Sequence, residues 1–410
     1  MDALSCKSCQ RPLRHTFVDL GMAPLVSSYL QARELHSAEV FYPLRVYVCD
    51  GCYLVQLPPA ETPENLFSNY PYFSSVSASW LKHAKTYVDR MMERFKFDST
   101  SQVIEIASND GYLLQYFKEK GVPVLGVEPA ANVAESAMNA GIPTVVKFFG
   151  RRTAEELVRE GKRADLLLGN NVLAHVPDIN DFVSGMKILL KPDGVITMEF
   201  PHLLKLIDEN QFDTIFHEHF SYLSYLTVET IFAKHGLAIF DVEEVPTHGG
   251  SLRIYAAHAE ARDKTKSDRA RELKEREINA GFNRIESYAS FEEKARITKH
   301  KLIRFLVELK QGQRSIVGYG APGKGCILLN YCGIRSDFLD YVVDLSPHKQ
   351  GLFIPGTHNA IYHPDKIRET KPDYVLILPW NLQSEIMEQM SFIREWGGQF
   401  IVPIPEVMVH

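Results

Sequence analysis

No stretch of the chain reaches the roughly 18 uninterrupted apolar residues that a membrane-spanning helix needs, so a helical membrane protein is not expected. Positive charge is not in surplus either. Lys and Arg number 45 against 51 Asp and Glu, leaving a formal net charge of −6. That balance argues against nucleic acid or an anionic membrane surface as the main partner. The start, Met1-Asp2-Ala3-Leu4-Ser5-Cys6, lacks the basic residues and apolar run of a signal peptide, so a cytoplasmic location is expected. Cysteine is scarce, six in 410 residues, which excludes a disulfide scaffold. What is present, 45% hydrophobic and 23% charged residues, is the composition of a globular protein. The chain is too long for one ordinary core, and two or three domains follow.

Four of the six cysteines are paired as Cys6-Lys7-Ser8-Cys9 and Cys49-Asp50-Gly51-Cys52. Two-residue spacing lets both thiolates of a pair point at one tetrahedral ion, and four sulfurs at about 2.3 Å suit Zn2+. Unrelated free thiols are the competing account, and the paired spacing disfavours it. No basic or aromatic run surrounds the pairs, so the metal reads as structural rather than as part of a nucleic-acid binder. Residues 1–75 are taken as this module together with an aromatic, turn-prone segment, Asn69-Tyr70-Pro71-Tyr72-Phe73-Ser74-Ser75. A helix over about 79–95 follows.

From Gln102 strands and helices alternate, which implies a parallel α/β sheet. Val103-Ile104-Glu105-Ile106-Ala107 reads as a buried strand, followed by Ser108-Asn109-Asp110-Gly111 and a helix. A second strand ends at Glu128, and a fourth runs into Asn170-Asn171 ahead of His175. Ligands of such sheets sit at the carboxyl ends of the strands, where Ser108, Asn109, Glu128, Asn171 and His175 all fall. The order resembles a class I S-adenosylmethionine-dependent methyltransferase. The resemblance implies that Glu105, Ser108, Asn109 and Gly111 hold the methionine portion, that Glu128 takes the ribose hydroxyls, and that Asn171 adds a contact. The usual three-glycine loop is replaced here by Ala107-Ser108-Asn109-Asp110-Gly111. A dinucleotide pyrophosphate needs close glycine contact that this loop lacks, which favours the sulfonium cofactor over NAD.

The densest polar cluster is His217-Glu218-His219-Phe220-Ser221-Tyr222 with Tyr225: two imidazoles, a carboxylate and two phenols within nine residues. Histidine supplies a base near neutral pH without large perturbation, and tyrosine hydroxyls can hydrogen-bond a developing oxyanion. Were the segment extended, His217 and His219 would share one side, and spacing alone would not choose between them. In Thr247-His248-Gly249-Gly250-Ser251-Leu252-Arg253 the paired glycines permit close approach, with His248 and Arg253 as candidate anion contacts. A charge-rich helical connector over 259–311 leads to a strand and Gly318-Tyr319-Gly320-Ala321-Pro322-Gly323-Lys324-Gly325. This loop fits G-x-G-x-x-G, with Asp344 where a ribose-binding acid belongs. It also fits the glycines and lysine of a P-loop, but Gly325 stands where a Ser or Thr should bind Mg2+, so ATP hydrolysis is not expected. Backbone N–H groups and Lys324 at the helix start read as a phosphate site in a second Rossmann-like domain.

The four-cysteine module, the core with Glu-Ile-Ala-Ser-Asn-Asp-Gly and the carboxyl-terminal Gly-Tyr-Gly-Ala-Pro-Gly-Lys-Gly, in this order, resemble the sugar C-methyltransferases of deoxysugar pathways over nearly the whole chain. Phe216-His217-Glu218-His219 and His248-Gly249-Gly250-Ser251-Leu252-Arg253 fit the middle of the pattern. The resemblance implies three parts: the zinc module, a methyltransferase domain over 76–260, and a connector with a nucleotide-sugar domain over 261–410. It implies methyl transfer from S-adenosylmethionine to C-3 of a dTDP- or GDP-linked 4-keto-6-deoxy sugar. Cys6, Cys9, Cys49 and Cys52 would hold zinc, and His219 would be the base. Tyr70, His175 and Glu218 would surround the reacting sugar, while Tyr222, His248, Arg253, Tyr319, Gly320 and Lys324 would bind the substrate. Where some members have tyrosine before His-Glu-His, this chain has Phe216. Two alternatives compete: an NAD-dependent oxidoreductase or epimerase using Gly318, Gly320, Gly323 and Asp344, and a non-enzymatic zinc scaffold or RNA-binding protein.

Overall fold

The computed structural model describes residues 4–68, 70, 72–261 and 264–410; Asn69 and Pro71 of the aromatic segment, like the first three residues of the chain start, lie outside the described residues. The chain divides into two compact units, each assembled from three stretches. The first comprises Met1–Arg14, Val48–His202 and Phe220–Ile285; the second comprises His15–Tyr47, Leu203–His219 and Glu286–His410. The four-cysteine module is therefore not a unit of its own. Both cysteine pairs lie in the first unit and the residues between them lie almost wholly in the second.

The first unit is built on a seven-stranded sheet ordered Leu237–Val245, Ser251–His258, Leu190–Pro201, Ala164–Asn170, Val103–Ile106, Val124–Val127, Thr144–Val145. Only Ser251–His258 runs against its neighbours. Val103–Ile106 is buried at every residue, as a strand covered on both faces must be. The chain builds outward from it on one side, then returns through Ala164–Asn170 on the other. That reversal opens a crevice at the carboxyl ends of these two strands. The helix Ala78–Phe95 covers one face, burying Ala84, Tyr87, Val88 and Met91 at helical spacing, with Ser77 capping its start by accepting from Trp80 N. The expected connector begins here as the helix Asp268–Asn279.

The second unit carries a six-stranded sheet ordered Ile361–Tyr362, Val342–Val343, Ile316–Tyr319, Tyr374–Ile377, Gln399–Val402, Met408–Val409. Its first five strands are parallel and the last is antiparallel, the expected Rossmann-like layout. The Gly318–Gly325 loop follows the central strand and opens the helix Gly323–Cys332. The long helix Phe291–Gln311 packs here, with Phe291 stacked on Phe17 at 4.6 Å between ring centroids. Among the described residues, no helix is long and apolar enough to cross a membrane.

Candidate active site

The four paired cysteines converge in the first unit. Their sulfurs all lie within 4.8 Å of one another, with Cys6 to Cys52 at 3.5 Å and Cys9 to Cys49 at 3.4 Å, and all are free of disulfides. A tetrahedral Zn2+ with Zn–S bonds of about 2.3 Å sets its sulfurs about 3.8 Å apart, so the cluster fits that ion. The Gln56 side-chain amide and the Gly51 N–H donate to Cys6 and Cys49 sulfurs, as bonds to thiolates would. The knuckles are tied to the helices Ile179–Leu189 and Tyr225–Lys234: Asn180 Nδ2 donates to the Lys7 and Ser8 carbonyls, and Lys234 Nζ to the Ser8 carbonyl. A metal held this way stiffens the support of the sheet and lies on its outside, which is a structural role.

At the crevice, the Glu105–Gly111 loop keeps the backbone of a three-glycine turn without the glycines. Ala107, Asn109 and Gly111 all have positive φ, at 55°, 51° and 78°. Asparagine tolerates this region and alanine pays for it in strain, so the conformation is imposed by the fold. Buried polar atoms without hydrogen-bond partners gather at this edge: both carboxylate oxygens of Glu105, Ser108 Oγ, Asp110 Oδ1, Asn170 Nδ2 and Asn171 Oδ1. Burial, and then the charges of Glu128 and Asp110, push the Glu105 carboxyl well above the usual carboxylate range. With the Glu128 and Asp110 carboxylates beside it, this nest suits a ligand carrying positive charge, as the sulfonium and ammonium of S-adenosylmethionine do, and would repel a pyrophosphate. Glu128 accepts the N–H of Asn109 and of Ala130, each at 2.9 Å, which holds its carboxylate at the end of its strand.

The Asn109 side chain, expected at the cofactor, is engaged elsewhere. Its Oδ1 accepts from Ser74 N at 2.9 Å and its Nδ2 donates to Tyr72 O at 3.0 Å, while Asp110 Oδ2 accepts from Ser75 N at 3.1 Å. Asn132 clasps Tyr70 in the same manner, accepting from its N–H at 3.1 Å and donating to its carbonyl at 2.8 Å. Residues 72–75 are thus strapped across the loop over 108–111, with Tyr70 held on Asn132. Tyr70 and His175 are brought together, both flanking the Phe67 ring at centroid distances of 6.2 and 5.8 Å.

Other residues are placed differently from expectation. Arg253 is fully buried, donating to Glu199 Oε2 at 2.6 Å and Glu243 Oε2 at 3.2 Å. Burial alone would raise the Glu199 carboxyl, but His83 and Arg253 hold it down to about 2. An arginine so paired holds the strand Ser251–His258 to Leu190–Pro201. His248 sits at φ 56° with its ring edge-on to Trp80 at 5.3 Å. Tyr222 is buried in the short ladder with Val55.

In the second unit, Phe216–His219 is a turn closed by His219 N to Phe216 O at 2.9 Å, not an extended strand. The two imidazoles therefore do not share one set of partners. His217 Nε2 lies 3.3 Å from the Pro43 carbonyl beside Tyr42, and burial lowers its pKa. His219 Nδ1 lies 2.8 Å from the Thr214 carbonyl, which can only accept, so Nδ1 carries the proton and Nε2 the lone pair in the neutral ring. The Phe216 ring packs on it at 3.9 Å. Burial pushes the neighbouring Glu218 carboxyl up to about 7, with the Ser27 hydroxyl easing its charge, and Oε1 has no hydrogen-bond partner.

The glycines of the Gly318–Gly325 loop are accounted for by packing. A Cβ on Gly320 would fall 2.6 Å from the Pro379 ring, on Gly323 2.9 Å from Val26, and on Gly325 3.0 Å from Leu378. Asp344 Oδ2 accepts from Ala321 N at 2.7 Å, and Tyr29 Oη donates to the Ala321 carbonyl. The loop is filled by its own protein, and no observation favours the nicotinamide alternative. Lys324 Nζ donates to Asn381 Oδ1 at 2.8 Å over the Trp380 ring. Tyr319 borders a cavity of about 380 Å³ with Leu345, His363, Arg368 and Phe392. Sequence reasoning missed Asn132, Asp213, Trp380 and Ser27, none of which stands in a recognisable motif.

Three family models match: a zinc binding domain over residues 6–67, a methyltransferase domain over 80–242, and a C-methyltransferase C-terminal domain over 246–405. The C-methyltransferase NovU of Streptomyces niveus is 36% identical over 407 residues, 98% of this chain and 96% of that one. The ubiquinone biosynthesis O-methyltransferase of Bartonella tribocorum (strain CIP 105476 / IBS 506) is 29% identical over 96 residues, 23% of this chain and 39% of that one. Among solved structures, magnesium protoporphyrin IX methyltransferase (ChlM) from Synechocystis PCC 6803 with bound SAM aligns at 13% identity and a TM-score of 0.34, covering 45% of this chain and 82% of that one. Full-length likeness to a C-methyltransferase, joined to a sheet and a carboxylate-lined crevice suited to the sulfonium cofactor, leads to one conclusion: the chain belongs to the S-adenosylmethionine-dependent C-methyltransferases that carry an amino-terminal four-cysteine zinc site.

Proposed function

We propose that the protein methylates C-3 of a nucleotide-linked 4-keto-6-deoxy sugar, carried by dTDP or GDP, with His219 as the base. The observation carrying this reading is the bond from His219 Nδ1 to the Thr214 carbonyl, which sets the tautomer with its lone pair on Nε2, the atom that takes the C-3 proton. That proton is acidic because its loss delocalises charge onto the C-4 carbonyl oxygen. Tyr70 and His175, gathered around Phe67, hydrogen-bond the enediolate oxygen as charge develops on it. Glu218 gives the sugar a further hydrogen bond from the same turn as the base. S-adenosylmethionine, when bound, supplies a methyl group electrophilic enough for the C-3 carbanion to take directly. Glu105, Ser108, Gly111, Glu128 and Asn171 hold it, and the strap formed by Tyr70 and residues 72–75 excludes water. The nucleotide is assigned to the second unit, where Tyr319 borders the 380 Å³ cavity.

Exchange of the C-3 proton in D2O, followed with dTDP- and GDP-linked 4-keto-6-deoxy sugars in the absence of methyl donor, tests the reading directly. His219→Asn should lose both exchange and turnover while binding S-adenosylhomocysteine as tightly as the parent. A variant that still exchanges at the parental rate would remove His219 as the base.

A further inference from the structure

We infer that Asp213, locked by Trp380 and opposed by Lys324, is a positioning residue for the base: it fixes the turn whose Thr214 carbonyl selects the tautomer of His219. The inference rests on His219 acting as the base. Phe212–Thr214 is a single 3-10 turn, and Asp213 at its centre is wholly buried. A buried carboxylate in so short a turn is costly unless its acceptors are used. Asp213 Oδ2 accepts the Trp380 indole N–H at 2.7 Å, and the surrounding backbone amides ease its charge.

The charge is answered by Lys324, which lies over the Trp380 ring and is tied to Asn381. The Cys332 thiol is the other titratable group that feels Asp213. On its far side the turn is pinned by Thr214 N and Thr214 Oγ1, both donating to the Gln211 carbonyl, at 3.1 and 2.7 Å. Held from both sides, the Thr214 carbonyl has one direction, and it meets His219 Nδ1 at 2.8 Å. Release of Asp213 lets that carbonyl swing away. Without that acceptor nothing in the turn keeps the proton on Nδ1, and the ring can place it on Nε2, the nitrogen needed as acceptor. On this account Lys324 serves the base from within the protein, through Asp213, rather than a phosphate.

The test uses the full chain. Asp213→Ala should lower kcat about ten- to a hundred-fold, the range for a reacting group displaced by about 1 Å, with KM for S-adenosylmethionine unchanged. Asp213→Asn keeps acceptors for the indole and the backbone and should recover most of that loss. Histidine-selective 15N spectra of the protein without substrate should show the Nδ1–H form of His219 dominant in the parent and in Asp213→Asn, and eroded in Asp213→Ala. Should Asp213→Ala fail to fold, Trp380→Phe removes only the indole donor and should show the same tautomer shift with a several-fold loss of kcat. An unchanged His219 tautomer in a folded Asp213→Ala or Trp380→Phe variant overturns the inference. Because the spectra need no turnover, this result stands apart from the failure of His219 as base, which the proton-exchange assay detects.

Discussion

Asn109 is the residue on which the cofactor loop and the strap depend together, and substitutions there separate two energies. Its side chain makes two hydrogen bonds, to Ser74 N and Tyr72 O, and its backbone sits at φ 51°. Each bond contributes about 1 kcal/mol net. Asn109→Ala loses both and adds the left-handed penalty of a Cβ-bearing residue, about 1 kcal/mol beyond what asparagine suffers, so it should destabilise the first unit by about 3 kcal/mol. Asn109→Gly loses the same bonds but occupies the left-handed region freely, so the loss should be about 2 kcal/mol even with glycine's extra freedom in the unfolded chain. Urea unfolding followed by far-ultraviolet circular dichroism measures the difference between the two variants. Calorimetric titration with S-adenosylhomocysteine should show tighter binding by the glycine variant, whose loop retains its shape. Equal losses for alanine and glycine would show that no conformational strain is stored at position 109. Losses below about 1 kcal/mol in both would show that the strap is not held by this side chain.

Removal of the metal with a chelator, or Cys9→Ser, should release one zinc ion per chain and lower the melting temperature of the first unit before any effect on the second; unchanged melting after complete zinc loss would contradict a structural metal. Arg253→Leu leaves Glu199 buried without its main countercharge, so a stability loss of about 3–5 kcal/mol is expected, not a selective rise in KM for the sugar nucleotide. Burial pushes the Glu218 carboxyl up to about 7, from about 4.5 for an exposed glutamate. The folded protein keeps a proton that the unfolded chain has released, so stability falls as pH rises from about 4.5 to 7, by about 3 kcal/mol in all. Glu218→Gln should make that slope shallower in denaturant midpoints measured across the range, leaving the contributions of Glu105, Glu128 and Asp213, all raised by burial. A slope unchanged by the substitution would refute the assignment.

Much of this protein was legible because its signals are local. Cys-x-x-Cys spacing by itself brings two sulfurs to one ion, and a buried apolar run ending in an acid announces a central parallel strand wherever it occurs. Ser108, Asn109, Glu128, Asn171 and His175 could be placed at one edge of a sheet on that ground alone. The Gly318–Gly325 loop shows where local reading stops. Its pattern is that of a phosphate loop, yet the glycines are required by Pro379, Val26 and Leu378, which are distant in sequence. Arg253 likewise looks like an anion contact until Glu199 and Glu243 are seen to occupy it.

The alternation of strands and helices along the chain, the cysteine knuckles and the carboxyl-terminal edge of the first sheet are thus properties of the amino-acid sequence, since each follows from periodicity or spacing within a few residues. The tertiary structure alone decided which ring nitrogen of His219 carries the proton, what holds the strap, and what the second glycine loop surrounds. Those outcomes depend on hydrogen-bond partners such as the Thr214 carbonyl, Asn132 and Asp344. Folding selects such partners by distance and direction, and neither is written in the spacing of the residues.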